Sequence, residues 1–285
     1  VGTPYRNSVA GGVDTYLMPN VPSMSHLWMK YLPQGPDDGS IGTIGTSNIV
    51  RDSNNNVYIT GVTNDAETII GGFDMYLAKY DSDGTLLWQT VLGTTENDWY
   101  PRLVAGIGVM SNYVFLSFCT SGSFNGMTNQ GGLDGFLLKL SANNGNIIWN
   151  KQIATNVLDV VTYIAIDHDG YRVYITGYTK GNIGSFNNGS DEIFLSKIST
   201  WTGGVEWHRQ FGSTTSNSDQ GWCVAVDKYN NIYVSGATNN DAGGGPNQRW
   251  YDICTFKYNQ LGSQIWKRQW GSNASSNSYA LDSAK

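Results

Sequence analysis

The sequence predicts an all-β chain built from repeated four-stranded sheets, and three observations carry that prediction. The first is a period. Tryptophan recurs at Trp28, Trp88, Trp149, Trp207 and Trp266, in steps of 60, 61, 58 and 59 residues. An acid recurs at Asp14, Asp74, Asp134, Glu192 and Asp252, in steps of 60, 60, 58 and 60. Self-similarity at a fixed period marks a repeat architecture. The second is local chemistry. Val, Ile, Tyr, Phe, Trp and Thr dominate between turn residues, and no stretch sustains a 3.6-residue apolar period. The third is the stretch that follows the acid. In DMYLAKYD (74–81) and DGFLLKLS (134–141) apolar residues fall on both alternating faces, as in a strand covered on both sides.

Taken in order, residues 1–33 hold only the second half of a unit. Thr3 precedes Asp14 by 11 residues, as Thr63 precedes Asp74. Residues 34–93, 94–154, 155–213 and 214–272 are four complete units. In the last, 222–231, 232–238, 251–259 and 263–271 read as strands one to four, parted by turn residues. The tail, 273–285, opens a further segment, its ALDSAK matching AVDKYN at 225–230. Head and tail together make one split unit. Four-stranded sheets set radially around a channel bury a third strand on both faces and form a β-propeller. The expectation is therefore one domain over 1–285, a propeller of five four-stranded blades. Its ring would be closed by the split blade, which removes two free sheet edges.

Composition bounds the function. The 285 residues carry a net charge of -6, and only 14% are charged. No basic cluster offers a phosphate-binding surface, so nucleic acid is excluded as a partner. No apolar run reaches the roughly 20 residues of a membrane-spanning helix. Cys119, Cys223 and Cys254 fall on a second, a first and a third strand. They read as buried free thiols, not a disulfide framework. The Asn/Ser/Thr-rich surface suggests an exported, extracellular or cell-surface protein.

At this point the residues resemble a known family. The strand pair IAIDHDGYRVYITGYT (164–179), the copies GGLDGFLLKL (131–140) and GGFDMYLAKYDSDGTLLWQTVLG (71–93), and SDQGWCVAVDKYNNIYVSGAT (218–238) resemble the bacterial β-propeller repeat called SBBP. The likeness covers nearly the whole chain. It implies a propeller fold and an exported or surface location, without a shared catalytic motif. The family name refers to seven blades, whereas the count here is five. NNGNIIW (143–149) also resembles the tryptophan-docking repeats of quinoprotein propellers. No paired Cys or ligand cluster accompanies it, so no cofactor and no metal are expected.

The recurring Trp reads as a wedge between blades. The recurring acid reads as a hydrogen-bond acceptor for a neighbouring turn. The Lys five residues later (79, 139, 197, 257) reads as a partly buried stem with a solvated head. Asp81–Gly84 and Asp167–Gly170 resemble the start of a calcium loop but lack its downstream Glu, and sit where hairpin turns are due. Function is expected in the variable loops on one face: 34–46, 93–99, 154–160, 212–220 and 271–278 between blades, and 64–72, 121–132, 180–190 and 239–250 between second and third strands. There Asp98, Asp159 and Asp219 recur just before the first strand, and Trp99, Trp222 and Trp250 add aromatics. Carboxylates and aromatic faces together suit sugar hydroxyls and rings. The alternative is that the acids cap turns. A glycoside-cleaving enzyme would need paired carboxylates, for which Glu67 and Glu96, beside Asp65 and Asp98, are the candidates. The expected activity is non-catalytic binding of a protein or glycan. Self-association, as a homo-oligomer or a tile of a surface layer, is the structural alternative.

Overall fold

The computed structural model describes residues 45–64, 70–96, 98, 106–184, 187, 190–213, 218–243, 245–247 and 251–271. The chain divides into two compact units, Val1–Tyr31 and Leu32–Lys285. All described residues belong to the second. The split blade expected from 1–33 and 273–285 lies outside them.

The described residues form sixteen strands and no helix. They make four antiparallel sheets of four strands, each a simple meander. The first sheet holds β1 (Gly45–Arg51), β2 (Val57–Thr63), β3 (Asp74–Tyr80) and β4 (Leu86–Leu92). The second holds β5 (Ile107–Met110), β6 (Tyr113–Thr120), β7 (Asp134–Ser141) and β8 (Ile147–Ile153). The third holds β9 (Asp159–Ile166), β10 (Arg172–Thr179), β11 (Glu192–Ser199) and β12 (Val205–Phe211). The fourth holds β13 (Asp219–Val226), β14 (Ile232–Thr238), β15 (Asp252–Tyr258) and β16 (Gln264–Trp270). Each sheet falls inside one of the four repeat units predicted from the period.

Consecutive sheets pack face to face in chain order, β5 on β1, β9 on β5 to β7, and β13 on β9 to β11. The innermost strands β1, β5, β9 and β13 line a cavity of about 990 Å³. Third strands sit inside this stack. β3 is buried at every residue, and β7 at all but its last. β15 alternates buried and half-buried positions, because none of the described residues covers its outer face.

Two details differ from the sequence reading. The first strand of the fourth sheet starts at Asp219, three residues earlier than expected, and ends at Val226. Residues 227–231 are a turn, not strand. The Asp227 carboxylate accepts the backbone N–H of Tyr229 and Asn231, the Asn231 amide and the Tyr233 hydroxyl, at 2.8–3.1 Å. Asp52 ties the matching turn of the first sheet to Asn54, Asn56 and Tyr58 in the same way. Local side-chain acceptors of this kind divert the backbone from the ladder.

Three of the lysine heads are also bonded to the protein instead of standing free in solvent. Lys79 Nζ and Trp88 Nε1 both donate to the Ala142 carbonyl, at 2.9 and 3.0 Å. Lys139 and Trp149 share the Thr200 carbonyl, at 3.0 and 3.3 Å. Lys197 and Trp207 share the Gln260 carbonyl, at 3.1 and 3.2 Å. Each acceptor lies in the turn between third and fourth strands of the following sheet. The tryptophan is thus the wedge expected, and the lysine completes a clamp with it. A glycine in the gripped turn makes the fit. Gly145 (φ +73) and Gly203 (φ +69) are left-handed and lie against the Trp88 and Trp149 rings. A side chain there would strain the backbone and press on the indole.

Candidate binding face

Meander topology sends the second-to-third-strand loops and the inter-sheet connections to one end of each sheet. The first-to-second and third-to-fourth turns lie at the other end. At the loop end the sequence-predicted acids form a repeated joint. The backbone N–H of Asp98, Asp159 and Asp219 donates to Phe73, Leu133 and Asp191 of the preceding sheet, each at 2.7 Å. The Asp98 carboxylate accepts the backbone N–H and hydroxyl of Thr94. The Asp159 carboxylate accepts both groups of Thr155 and the Thr179 hydroxyl. The Asp219 carboxylate accepts both groups of Ser213. All three acids are buried. Their oxygens face inward and cap the inter-sheet turns, as in the alternative that the sequence left open. Desolvation by burial is the first cause that holds all three carboxyls above their ordinary value.

The third-strand acids behave as the repeat implied, as acceptors for the neighbouring loop. Asp74 accepts the backbone N–H of Ile70, and Asp134 that of Gln130. A fourth-strand glutamine, three residues after the tryptophan, was not singled out from the sequence, although it recurs at Gln152, Gln210 and Gln269. Its amide donates to Asp134, Glu192 and Asp252 at 2.7, 2.9 and 3.0 Å. It also reaches back to the loop, to the carbonyls of Thr128, Gly181 and Asn240. The loops are therefore pinned at their bases by one repeated network, while their tips differ.

Of the aromatic candidates, Trp222 is half-buried at a bulge in β13, its ring 6.3 Å from Tyr178. Trp99 and Trp250 lie outside the described residues. So do Asp65 and Glu67 of the enzyme reading. Glu96 is exposed and Asp98 is buried, so the structure does not present those two as a pair of accessible carboxylates. Strongly exposed aromatics that the sequence reading passed over lie at the opposite end, on turns: Tyr171 (58%), Trp201 (70%) and Tyr229 (70%).

A polar groove of about 450 Å³ runs along the loop end of the second sheet, with Thr128, Asn129, Gln130, Lys151 and Gln152 among its walls. Asn129 and Gln152 are tied into the loop. Lys151, half-buried, is the cation of the groove. Among the described residues no group of three or more His, Cys, Asp and Glu could hold a metal ion. The three cysteines are buried and in no disulfide. No helix among the described residues is long and apolar enough to cross a membrane.

Comparison with known proteins gives the following. Residues 206–242 match the family model SBBP, described as a beta-propeller repeat, so the resemblance read from the sequence holds over that segment. No curated protein matches the chain. Among solved structures, one similar chain is a protein of unknown function from Bacteroides caccae. It is 9% identical with a TM-score of 0.44, and the match covers 85% of this chain and 70% of that one. Another is an α-L-arabinofuranosidase from Podospora anserina, 9% identical with a TM-score of 0.43, covering 83% and 70%. A thermostable family-43 glycoside hydrolase is 13% identical with a TM-score of 0.45, covering 85% and 75%.

Proposed function

We propose that this chain is a non-catalytic, exported propeller module that binds a protein or glycan partner through its loop end. One observation carries the reading. The repeated acids and glutamines pin the loop bases of the second, third and fourth sheets alike, whereas the loops they pin differ in sequence from sheet to sheet. A fixed base with a variable tip is how rigid scaffolds carry recognition. The groove beside Lys151 and Gln130 is the leading site, with Trp222 as the aromatic candidate. Its amide, hydroxyl and ammonium groups suit sugar hydroxyls or an acidic side chain.

The fold reading extends to five blades closed by the split unit of 1–33 and 273–285. Its support is the repeated pattern of 11–33, together with the fourth sheet. There Tyr233, Lys257 and Trp266 cluster as Tyr58, Lys79 and Trp88 do in the first sheet, with Lys257 Nζ 4.9 Å from the Tyr233 ring centre. Deleting residues 1–33 should then lower the unfolding temperature; an unchanged temperature removes five-blade closure.

The binding test is a glycan array and a pull-down with quantitative follow-up, comparing the parent with Lys151→Ala and Trp222→Ala. Loss of binding in Lys151→Ala, with unchanged folding, supports the groove. Binding that instead falls with Trp201→Ala moves the site to the opposite end. The enzyme reading, resting on Glu96 and on Asp65 and Glu67, is checked by hydrolysis of a polysaccharide panel by the parent and by a Glu67→Ala, Glu96→Ala double variant. Turnover that the double variant loses would replace the binding role with catalysis.

A further inference from the structure

The junction between the first and second sheets departs from the others at one residue. Where the second, third and fourth sheets place Gln152, Gln210 and Gln269, the first places Val91. Asp74 therefore lacks the amide donor that Asp134, Glu192 and Asp252 receive. Its Oδ2 accepts the Ile70 N–H alone, whereas the Asp134 Oδ2 accepts both Gln130 and Gln152; its Oδ1, like that of Asp134, is buried without a donor. The group that meets Asp74 instead is a second carboxyl, that of Asp98. Both close on the space beside the Gly93 Cα, where an added Cβ would collide with each of them. Two buried carboxylates in contact cannot both stay ionised; one proton held between them supplies the missing donor.

We propose that Asp74 and Asp98 share a single proton and that this makes the first inter-sheet junction a pH-responsive joint. With the proton in place, the two acids bond to each other, and Asp98 ties Thr94, the loop and β3 together. Without it, two like charges face each other in a buried site and the joint loosens.

Among the described residues nothing else neutralises the pair. From β3 the titratable group is Asp74. From β6, Thr120 brings a hydroxyl, bonded to that of Thr94 at 3.0 Å. From the connection itself, Thr94 gives an N–H and a hydroxyl, while Glu96 is exposed to solvent. The ion pairs among the described residues join Glu206 to Arg172 and Lys197, not to these acids. Burial first, and then the Asp74 contact, push the Asp98 carboxyl up to about 7. An unfolded Asp titrates near about 3.9. The folded value is raised, so the stabilisation is fully present below pH ~4 and is lost as pH rises through about 7. At the two later junctions the charges of Asp134 and Glu192 push the Asp159 and Asp219 carboxyls up, after burial, and each acid keeps its glutamine.

The test follows the unfolding temperature from pH 4.5 to 8.5 in the parent, Asp74→Asn and Val91→Gln. The asparagine amide donates to Asp98 without a titrating proton, and Val91→Gln installs the donor that the other sheets use. The parent should lose unfolding temperature between pH 5 and 7 more steeply than either variant. Superimposable profiles would overturn the proposal. Should the substitutions prevent folding, carbon-detected titration of carboxyl groups in the parent decides. Asp98 should titrate near pH 7. Both titrating below pH 5 would sink the shared proton.

Discussion

Replacing Lys139 by methionine tests the clamp at its most buried copy. Lys139 is 4% exposed. Its ammonium donates to the Thr200 carbonyl at 3.0 Å and sits 3.7 Å from the centre of the Tyr113 ring. A hydrogen bond from a charged donor contributes about 1.5–3 kcal/mol, and a desolvated cation over a ring face about 0.5–2 kcal/mol. Methionine fills similar volume and relieves the cost of burying the ammonium, which offsets part of that sum. The carbonyl is not orphaned, because Trp149 Nε1 still reaches it. The net loss should be about 2 kcal/mol, or roughly 4–8 °C of unfolding temperature in a domain of this size. Trp149→Phe, which removes a neutral donor, should cost about 1 kcal/mol for the hydrogen bond. Because both donors share one acceptor, the double variant should cost more than the sum of the singles, by about 0.5–1 kcal/mol. The assay is denaturant unfolding of the four proteins. If Lys139→Met is neutral or stabilising, the ammonium's desolvation cancels its bonds, and the clamp is a packing device alone.

Other predictions follow the same logic. Gly93→Ala sets a methyl group against the Asp74 and Asp98 carboxylates and should cost about 1–3 kcal/mol. At the matching position Ala154→Gly should cost under about 1 kcal/mol; thermal unfolding compares the two. The hydrogen bonds of Asn231, Tyr229 and Tyr233 hold the Asp227 carboxyl down at about 2. That stabilisation is present above the unfolded value and is lost as pH falls through about 2, so Asp227→Asn should flatten the acid limb of unfolding below pH ~4. The three thiols should be silent towards a thiol reagent in the native protein and react only after denaturation, since all are buried and burial pushes the Cys119 thiol up to about 12.

Much of this was legible from spacing alone. A 60-residue period located all four described sheets, because a residue fixed to one strand position in every copy must meet the same neighbour each time. The tryptophan's role followed for that reason. The lysine's did not: a one-dimensional pattern shows a charged residue within an apolar run, but not that a carbonyl of the next unit waits at its tip. The acids before the first strands were ambiguous for a related reason. Asp98, Asp159 and Asp219 recur beside variable loops, and recurrence there fits a binding site or a structural joint equally well. Their burial, and the Thr or Ser four to six residues upstream that bonds them, decided for the joint. Gln152, Gln210 and Gln269 were visible as a pattern but carried no motif. A neutral amide gains meaning only from the acid opposite it.

The clamp reaches in one direction only. At each of the three described junctions one sheet offers a lysine and a tryptophan and its successor offers a turn carbonyl, so these junctions are the same lock meeting the same key. A unit copied or deleted within such a chain would find matching partners on both sides at once. The number of units is then not written into the junctions. It is left to the geometry of the stack, and gene duplication can explore that number without first inventing an interface.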